Sequence, residues 1–165
     1  MLIHLKEATP EDVLHISEMA ERIWHVHYTP IIGVEQVNYM LKRGYSPDAL
    51  KDAMKNGERF FLCFDKDKFF GYVSVSNKGA GEYFLNKFYL EVNEQGKGAG
   101  KRIFELLLNE FSDMKVMRLQ VNRMNYKTIN FYFRVGFIIE YAKDFDIGDG
   151  YSMDDYVMIR KSGSR

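Results

Sequence analysis

The sequence predicts a single α/β domain built on a mixed sheet with helices on both faces. Three observations carry this. The chain has 165 residues, which suits one domain and leaves no room for two of ordinary size. Hydrophobic residues make up 46% and charged residues 28%, the balance of a globule with a real core. The apolar period also changes along the chain, from helical spacing in the first third, to strand runs, to alternating helix and strand.

Residues 2–6 open as a short strand. Thr9-Pro10-Glu11-Asp12 then reads as a helix start. Thr9 is the expected N-cap, Pro10 has its φ preset for the first helical position, and Asp12 sits three after the cap. Val13, Ile16, Ala20, Ile23 and His27 follow at helical spacing, and the helix is expected to end near Trp24. A second helix is expected over 33–42, closed by Gly44, and a third from Ser46-Pro47-Asp48 to a stop at Gly57. Residues 60–64 and 69–75 read as strands around the charged turn Asp65-Lys66-Asp67-Lys68. Residues 77–81 read as a loop and 83–90 as a strand. Ala99, Ile103, Leu106, Leu107 and Phe111 mark an amphipathic helix. A strand over 116–121, a helix over 125–135 ending at Gly136, and strands over 137–141 and 151–159 complete the order βααα-βββ-αβ-αβ-β. A polar tail over 161–165 is expected to be disordered.

Lysine plus arginine equals aspartate plus glutamate at 23 each, for a formal net charge of zero. That argues against nucleic acid as a partner, since phosphate attraction needs clustered positive charge. No apolar run approaches the roughly 18 residues a membrane span needs. The N-terminus lacks the charged start and long apolar stretch of a signal peptide, so the expected compartment is the cytoplasm. The one cysteine, Cys63, lies in an apolar run and reads as a buried, inert thiol. His25 and His27 are two apart and cannot share a helix face, so no metal site is expected there or at Cys63.

The sharpest chemical signal follows the strand over 83–90. Gln95-Gly96-Lys97-Gly98-Ala99-Gly100-Lys101 is a glycine-rich turn opening a helix. Glycines at alternate positions let backbone N–H groups converge without Cβ obstruction. The helix N-terminus adds unpaired donors and a positive dipole end, which together make an anion site suited to pyrophosphate. Lys97 and Lys101 add charge. The Walker loop fails here, because Gly100-Lys101 is followed by Arg102 and the position five before Gly100 is Gln95. The dinucleotide pattern GxGxxG fails at Ile103.

A second signal spans 119–137: a strand ending in Val121-Asn122, a polar turn with Asn125, a helix carrying Phe131-Tyr132, then Gly136-Phe137. With it the sequence resembles the GNAT superfamily of acetyl-CoA-dependent N-acetyltransferases. The family's Gln/Arg-x-x-Gly-x-Gly/Ala signature is matched at every fixed position by Gln95, Gly98 and Gly100. Its second signature is matched by Asn122, Asn125, Phe131-Tyr132 and Gly136-Phe137. The two motifs cover about a third of the chain, and the element order fits over nearly all of it.

The resemblance implies a mostly antiparallel sheet of about seven strands with one splayed pair, the strands over 83–90 and 116–121. It implies acetyl-CoA as cosubstrate, its pantetheine arm entering that gap and pairing with backbone near Phe88, Tyr89 and Leu90. Backbone from Gly96 to Lys101, with Gln95 and Ala99 in the turn, would hold the pyrophosphate. Asn125 would hydrogen-bond the pantetheine arm. Tyr132 would lie near the coenzyme sulfur as general acid; packing in the core explains the same tyrosine.

The implied reaction is attack of an amine on the acetyl thioester. An amine of pKa about 10.4 is neutral in only about one molecule in 2,500 at pH 7, a cost of roughly 4.6 kcal/mol. A base, a water chain or desolvation must remove that proton. Many relatives carry a glutamate on the strand before the glycine turn, but 83–90 holds no carboxylate and Glu82 and Glu91 only bracket it. The base is left unassigned.

For the acceptor, Trp24, His25, His27, Tyr28, Tyr39 and Tyr45 gather before residue 60, with Trp24 and Tyr28 equally explained as core. Asp144 and Asp146 belong to a second candidate region, where Glu140, Asp149, Asp154 and Asp155 complete six acids against Lys143. A solvated hairpin and a cation-attracting rim for a polyamine both explain that excess. The segment from Phe145 to Met158 is weakly similar to polyamine-type bacterial members. The expected partner is a small-molecule amine or a peptide amine, with a homodimer left open. The alternative is an acyl-CoA-binding regulatory or interaction module without turnover.

Overall fold

The computed structural model describes residues 1–163. Seven strands form one sheet: β1 (Ile3–Glu7), β2 (Arg59–Asp65), β3 (Lys68–Gly79), β4 (Glu82–Leu90), β5 (Val116–Asn122), β6 (Ile138–Gly148) and β7 (Tyr151–Lys161), in the order β1-β2-β3-β4-β5-β7-β6. Every neighbouring pair is antiparallel except β4–β5, which is parallel. The expected fold class is therefore the observed one.

Both faces of the sheet are covered because its central strands bury side chains on alternate sides. On β2, Phe61 and Cys63 join one core, while Phe60 and Leu62 join the other. The first core packs under α5 (Ala99–Glu110) and α6 (Tyr126–Arg134). The second packs under α1 (Val13–His27), α2 (Thr29–Ile32), α3 (Val34–Tyr45) and α4 (Pro47–Lys55). Burial pushes the Cys63 thiol well above its ordinary pKa, as expected of an inert core cysteine.

The boundaries shift for identifiable reasons. Thr9 precedes a 3-10 turn, Pro10–Asp12, and the Asp12 carboxylate accepts the Thr9 N–H at 2.9 Å. The α-helix begins after it and runs past Trp24 to His27, where Trp24 and Tyr28 still pack inward. A short turn of helix, α2, was not expected. Helix α3 passes through Gly44 because Tyr45, one further on, is buried; Ser46 then caps α4, its hydroxyl accepting from Ala49 N–H at 3.2 Å.

The loop expected over 77–81 is mostly strand, with β3 reaching Gly79. Strand β6 runs on through the acidic segment to Gly148, paired with β7 apart from register shifts at Glu140 and Ile147. The expected polar tail is corrected at its start: Lys161 closes β7 opposite Val116, and Ser162 donates to Lys115 O at 2.8 Å. Residues 164 and 165 lie outside the described residues.

Candidate active site

The parallel strands β4 and β5 part early. They pair only at Glu82–Val116, Tyr83–Met117 and Phe84–Arg118. Just beyond, the β3–β4 register shifts: Ser74 faces Lys87 but Val75 faces Leu85, leaving Asn86 bulged. A bulge bends its strand and increases its twist, which turns β4 away from β5. Ser76 Oγ holds the Asn86 amide at 2.7 Å. The divergence opens a cleft of about 730 Å³ whose walls come from β4, β5, α1, α6 and the turn before α5, a size suited to an organic ligand.

Most of the expected coenzyme residues meet in this cleft. Phe88, Tyr89 and Leu90 line it from β4, and Gln95, Gly96, Gly98, Gly100 and Lys101 line it from the turn. Gly98 is the N-cap of α5 with φ at 82°, a left-handed conformation that glycine adopts without strain. The first helical hydrogen bond runs from Arg102 N to Gly98 O at 3.2 Å, so the N–H groups of Ala99, Gly100 and Lys101 precede the ladder and need an outside acceptor. No acidic residue occupies this first turn. A pyrophosphate fits such a set of donors.

Gln95 braces the turn, donating to Leu90 O at 3.0 Å and accepting from Lys127 Nζ at 2.8 Å. Lys97 and the Ala99 side chain do not line the cleft: the Ala99 methyl is buried, leaving only its N–H among the free donors, and Lys97 is exposed, 3.8 Å from Glu94.

Tyr132 is both core and cleft. Its ring sits edge-on to Phe137 at 5.5 Å in the core under α5 and α6, and the same residue lines the cleft. Burial, with Tyr28 nearby, pushes its phenol well above the usual tyrosine pKa, so it holds its proton throughout the neutral range. Asn125 does not line the cleft. It is buried at 3% exposure, and its amide lies between His27 Nε2 at 3.2 Å and the Tyr28 hydroxyl at 3.5 Å.

Of the candidate acceptor residues, Tyr28 lines the cleft and its hydroxyl lies 3.5 Å from that of Tyr89. Trp24 does not line it; the indole is core, tilted against the Tyr28 ring at 4.3 Å. Asp144 and Asp146 are not brought to the cleft either. Asp144 is exposed and paired with Arg123, and Asp146 accepts the Gly148 N–H at 2.8 Å inside the hairpin. That hairpin is pinned to α3 by Tyr39, whose hydroxyl donates to Ile147 O at 2.6 Å. Asp155 is the buried acid of the segment; its Oδ1 has no hydrogen-bond partner, and burial, reinforced by Asp154 and opposed by Arg123, pushes its pKa up to about 6.

Three cleft residues were given no role from the sequence: Asn86, Lys127 and Arg134. The signal for the α6 group is its spacing, since Lys127, Phe131 and Arg134 share a helix face next to Tyr132. Asn86 depends on a bulge that side-chain pattern does not announce.

The profile of the acetyltransferase (GNAT) domain family matches residues 29–148. An uncharacterized N-acetyltransferase of Mycobacterium tuberculosis is 24% identical over 153 residues, 91% of this chain and 97% of the relative. The PaiA N-acetyltransferase of Thermoplasma acidophilum, solved with coenzyme A, superposes with a TM-score of 0.80 at 23% identity, over 98% of this chain and 99% of that one. A chimera of the Vibrio cholerae spermidine N-acetyltransferase SpeG superposes with a TM-score of 0.72 at 20% identity, over 98% and 96% of the two chains. With a family match over most of its length, the chain belongs to the GNAT family of acetyl-CoA-dependent N-acetyltransferases.

Proposed function

We propose that the protein transfers the acetyl group of acetyl-CoA directly to a primary amine on a small molecule such as a polyamine, in the cleft between β4 and β5. The observation that carries this is the convergence on one cleft of three parts: a strand pair that stops pairing at Phe84, a helix start with free N–H groups, and Tyr132.

The parts divide the work. The N–H groups of Ala99, Gly100 and Lys101 hold the pyrophosphate, with Lys101 adding charge. The edge of β4 from Phe88 to Leu90 is open toward the cleft and offers backbone groups to the pantetheine amides. The wall of Tyr28 and Tyr89 is apolar with polar tips, and it strips water from the incoming amine, which lowers the cost of the neutral form. Tyr132 supplies a proton to the departing thiolate. A phenol held above its usual pKa does not surrender a proton to a thiolate of pKa about 8.5 in isolation. It does so in concert, as the amine nitrogen releases the proton that replaces it.

Two measurements test the reading. Acetyl-CoA at about 100 times its dissociation constant adds roughly 2.7 kcal/mol of stability, a melting shift of about 5 to 10 °C at this size, while ATP and NAD shift it far less. Thiol release is then followed against a panel of polyamines, other small amines and N-terminal peptides. Equal shifts with all three ligands overturn the coenzyme site. Binding without thiol release for any amine replaces the enzyme with an acyl-CoA-binding module.

A further inference from the structure

The cleft holds no carboxylate among its described lining residues. Its titratable groups are the cations Lys101, Lys127 and Arg134, the phenols Tyr28, Tyr89 and Tyr132, and one imidazole, His27. The three phenols are all pushed above their ordinary pKa, chiefly by burial. His27 is thus the one described cleft residue that offers a lone pair to an ammonium proton near neutral pH.

The geometry around His27 is built. It is the last residue of α1, half-buried, and its ring stands edge-on to Tyr28 at 4.8 Å. Its Nε2 lies 3.2 Å from Asn125 Oδ1. Asn125 is fixed by backbone on both sides: its N–H donates to Asn122 O and its carbonyl accepts from Ile129 N–H, each at 3.0 Å. Its Nδ2 faces the Tyr28 hydroxyl at 3.5 Å, and its amide oxygen faces His27. An amide oxygen only accepts. Nε2 therefore carries the hydrogen, and Nδ1 keeps the lone pair.

We propose that His27 is the general base that takes the proton of the acceptor ammonium, and that Asn125 is the residue that positions it. The proposal rests on the acetyl-transfer reading above. In the step, an N–H bond of the ammonium breaks and an Nδ1–H bond forms, directly or across one water, and the imidazolium then releases its proton to solvent. The neutral amine attacks the thioester carbonyl. As the C–S bond breaks, the thiolate takes the Tyr132 proton, and the second nitrogen proton returns to Tyr132. One acetamide, one thiol and one free proton result.

Burial favours the neutral imidazole, the Asn125 hydrogen bond opposes that, and the nearby Lys127 adds to it; the net effect holds His27 below its ordinary 6.5. Lys127 comes from α6 and is tied to Gln95, and Tyr28 is the titratable neighbour on α1. The imidazole is then ready to accept at pH 7.

The test is the pH dependence of kcat/KM with the best amine of the panel. Wild-type protein is expected to show an ascending limb with its midpoint below 6.5. His27→Gln is expected to lose about 10²- to 10⁴-fold in turnover and to lose that limb, with the acetyl-CoA melting shift unchanged. Added imidazole restores turnover to His27→Ala. Asn125→Ala moves the limb to lower pH, because the hydrogen bond it removes favours the protonated ring. In the wild type, the His27 ring followed by NMR titrates with the kinetic midpoint, a check that needs no variant. Wild-type turnover with an intact limb in His27→Gln overturns the assignment, as does an NMR midpoint away from the kinetic one. If no amine releases thiol from the wild type, it is the acetyl-transfer reading that has failed.

Discussion

Gly100 lies against the ring of Phe131: a Cβ on Gly100 would stand 3.0 Å from Phe131 Cε2 and 3.2 Å from Cζ. The glycine lets the start of α5 approach α6, so that the donors of the turn and the cleft face of α6 border one space. Gly98 differs, since a Cβ there meets nothing within 4 Å and projects into open space. The two glycines of the motif thus serve different ends, one packing and one the left-handed entry to the helix.

Replacement of the two glycines therefore separates two effects. Gly100→Val should overpack the α5–α6 contact and destabilise the free protein by about 1–3 kcal/mol, seen as a lower melting temperature without ligand. Gly98→Val carries backbone strain of about 1–3 kcal/mol and also blocks the face of the turn, so acetyl-CoA affinity by calorimetry should fall at least about tenfold, roughly 1.4 kcal/mol. Wild-type affinity in Gly98→Val would mean that the glycine only shapes the turn.

Tyr132→Phe should lower kcat by about 10- to 10⁴-fold, with acetyl-CoA affinity nearly unchanged. The ring keeps its contacts with Phe131 and Phe137, so the melting temperature should hardly move. Wild-type turnover in this variant would leave Tyr132 a core residue alone.

The glycine turn and the α6 wall of the cleft were legible in the sequence because they are local. Gln95 to Lys101 and Tyr132 belong to short motifs within single elements, and the turn folds as its glycines dictate. The opposite wall was not legible as a unit, because it is assembled across distant segments. His27 and Asn125 are 98 positions apart, and nothing in the spacing of either announces the other. Asn125 shows the limit of a motif: its place at the head of α6 was foreseen, but its side chain turns to His27 and Tyr28 rather than lining the cleft. Of the two readings of the acids of 140–156, a hairpin facing solvent is the one Asp144 and Asp146 follow, since neither lines the cleft. Charge counts ignore direction, and the pleat sends Asp154 outward and Asp155 inward. Strand ends were underestimated wherever pairing continued into polar sequence, as in β6.

Glu58 and Lys87 form an ion pair at 2.7 Å with both side chains mostly covered. Ser74 Oγ donates to the same Glu58 oxygen at 2.6 Å, and Lys87 Nζ lies 5.3 Å from the Tyr45 ring centre. Glu58→Ala leaves a covered ammonium and a fully buried hydroxyl without their acceptor. It should cost about 3 kcal/mol by chemical denaturation. Glu58→Ala with Lys87→Met should recover much of that, since the uncompensated charge is gone. A double variant no more stable than the single one would show that the cost came from the hydroxyl.

Asp155 gives the stability of the protein a pH dependence of defined sign. Its carboxyl is buried at 3% exposure, Oδ1 has no hydrogen-bond partner, and its pKa is pushed up to about 6 from 3.8. The folded state therefore holds a proton that the unfolded state has already lost between about pH 4 and 6, and stability falls as pH rises through that window. At about 1.4 kcal/mol per pH unit the contribution amounts to roughly 3 kcal/mol between its ends. Asp155→Asn removes the ionisation and keeps the shape, so it should melt higher than wild type at pH 7.5 and close to it at pH 4. The difference between the two melting temperatures, followed from pH 4 to 7.5, isolates this group from other carboxylates, which act equally in both proteins. A constant difference over that range would show that Asp155 ionises at the same pH folded and unfolded, and that Arg123 offsets its burial in full.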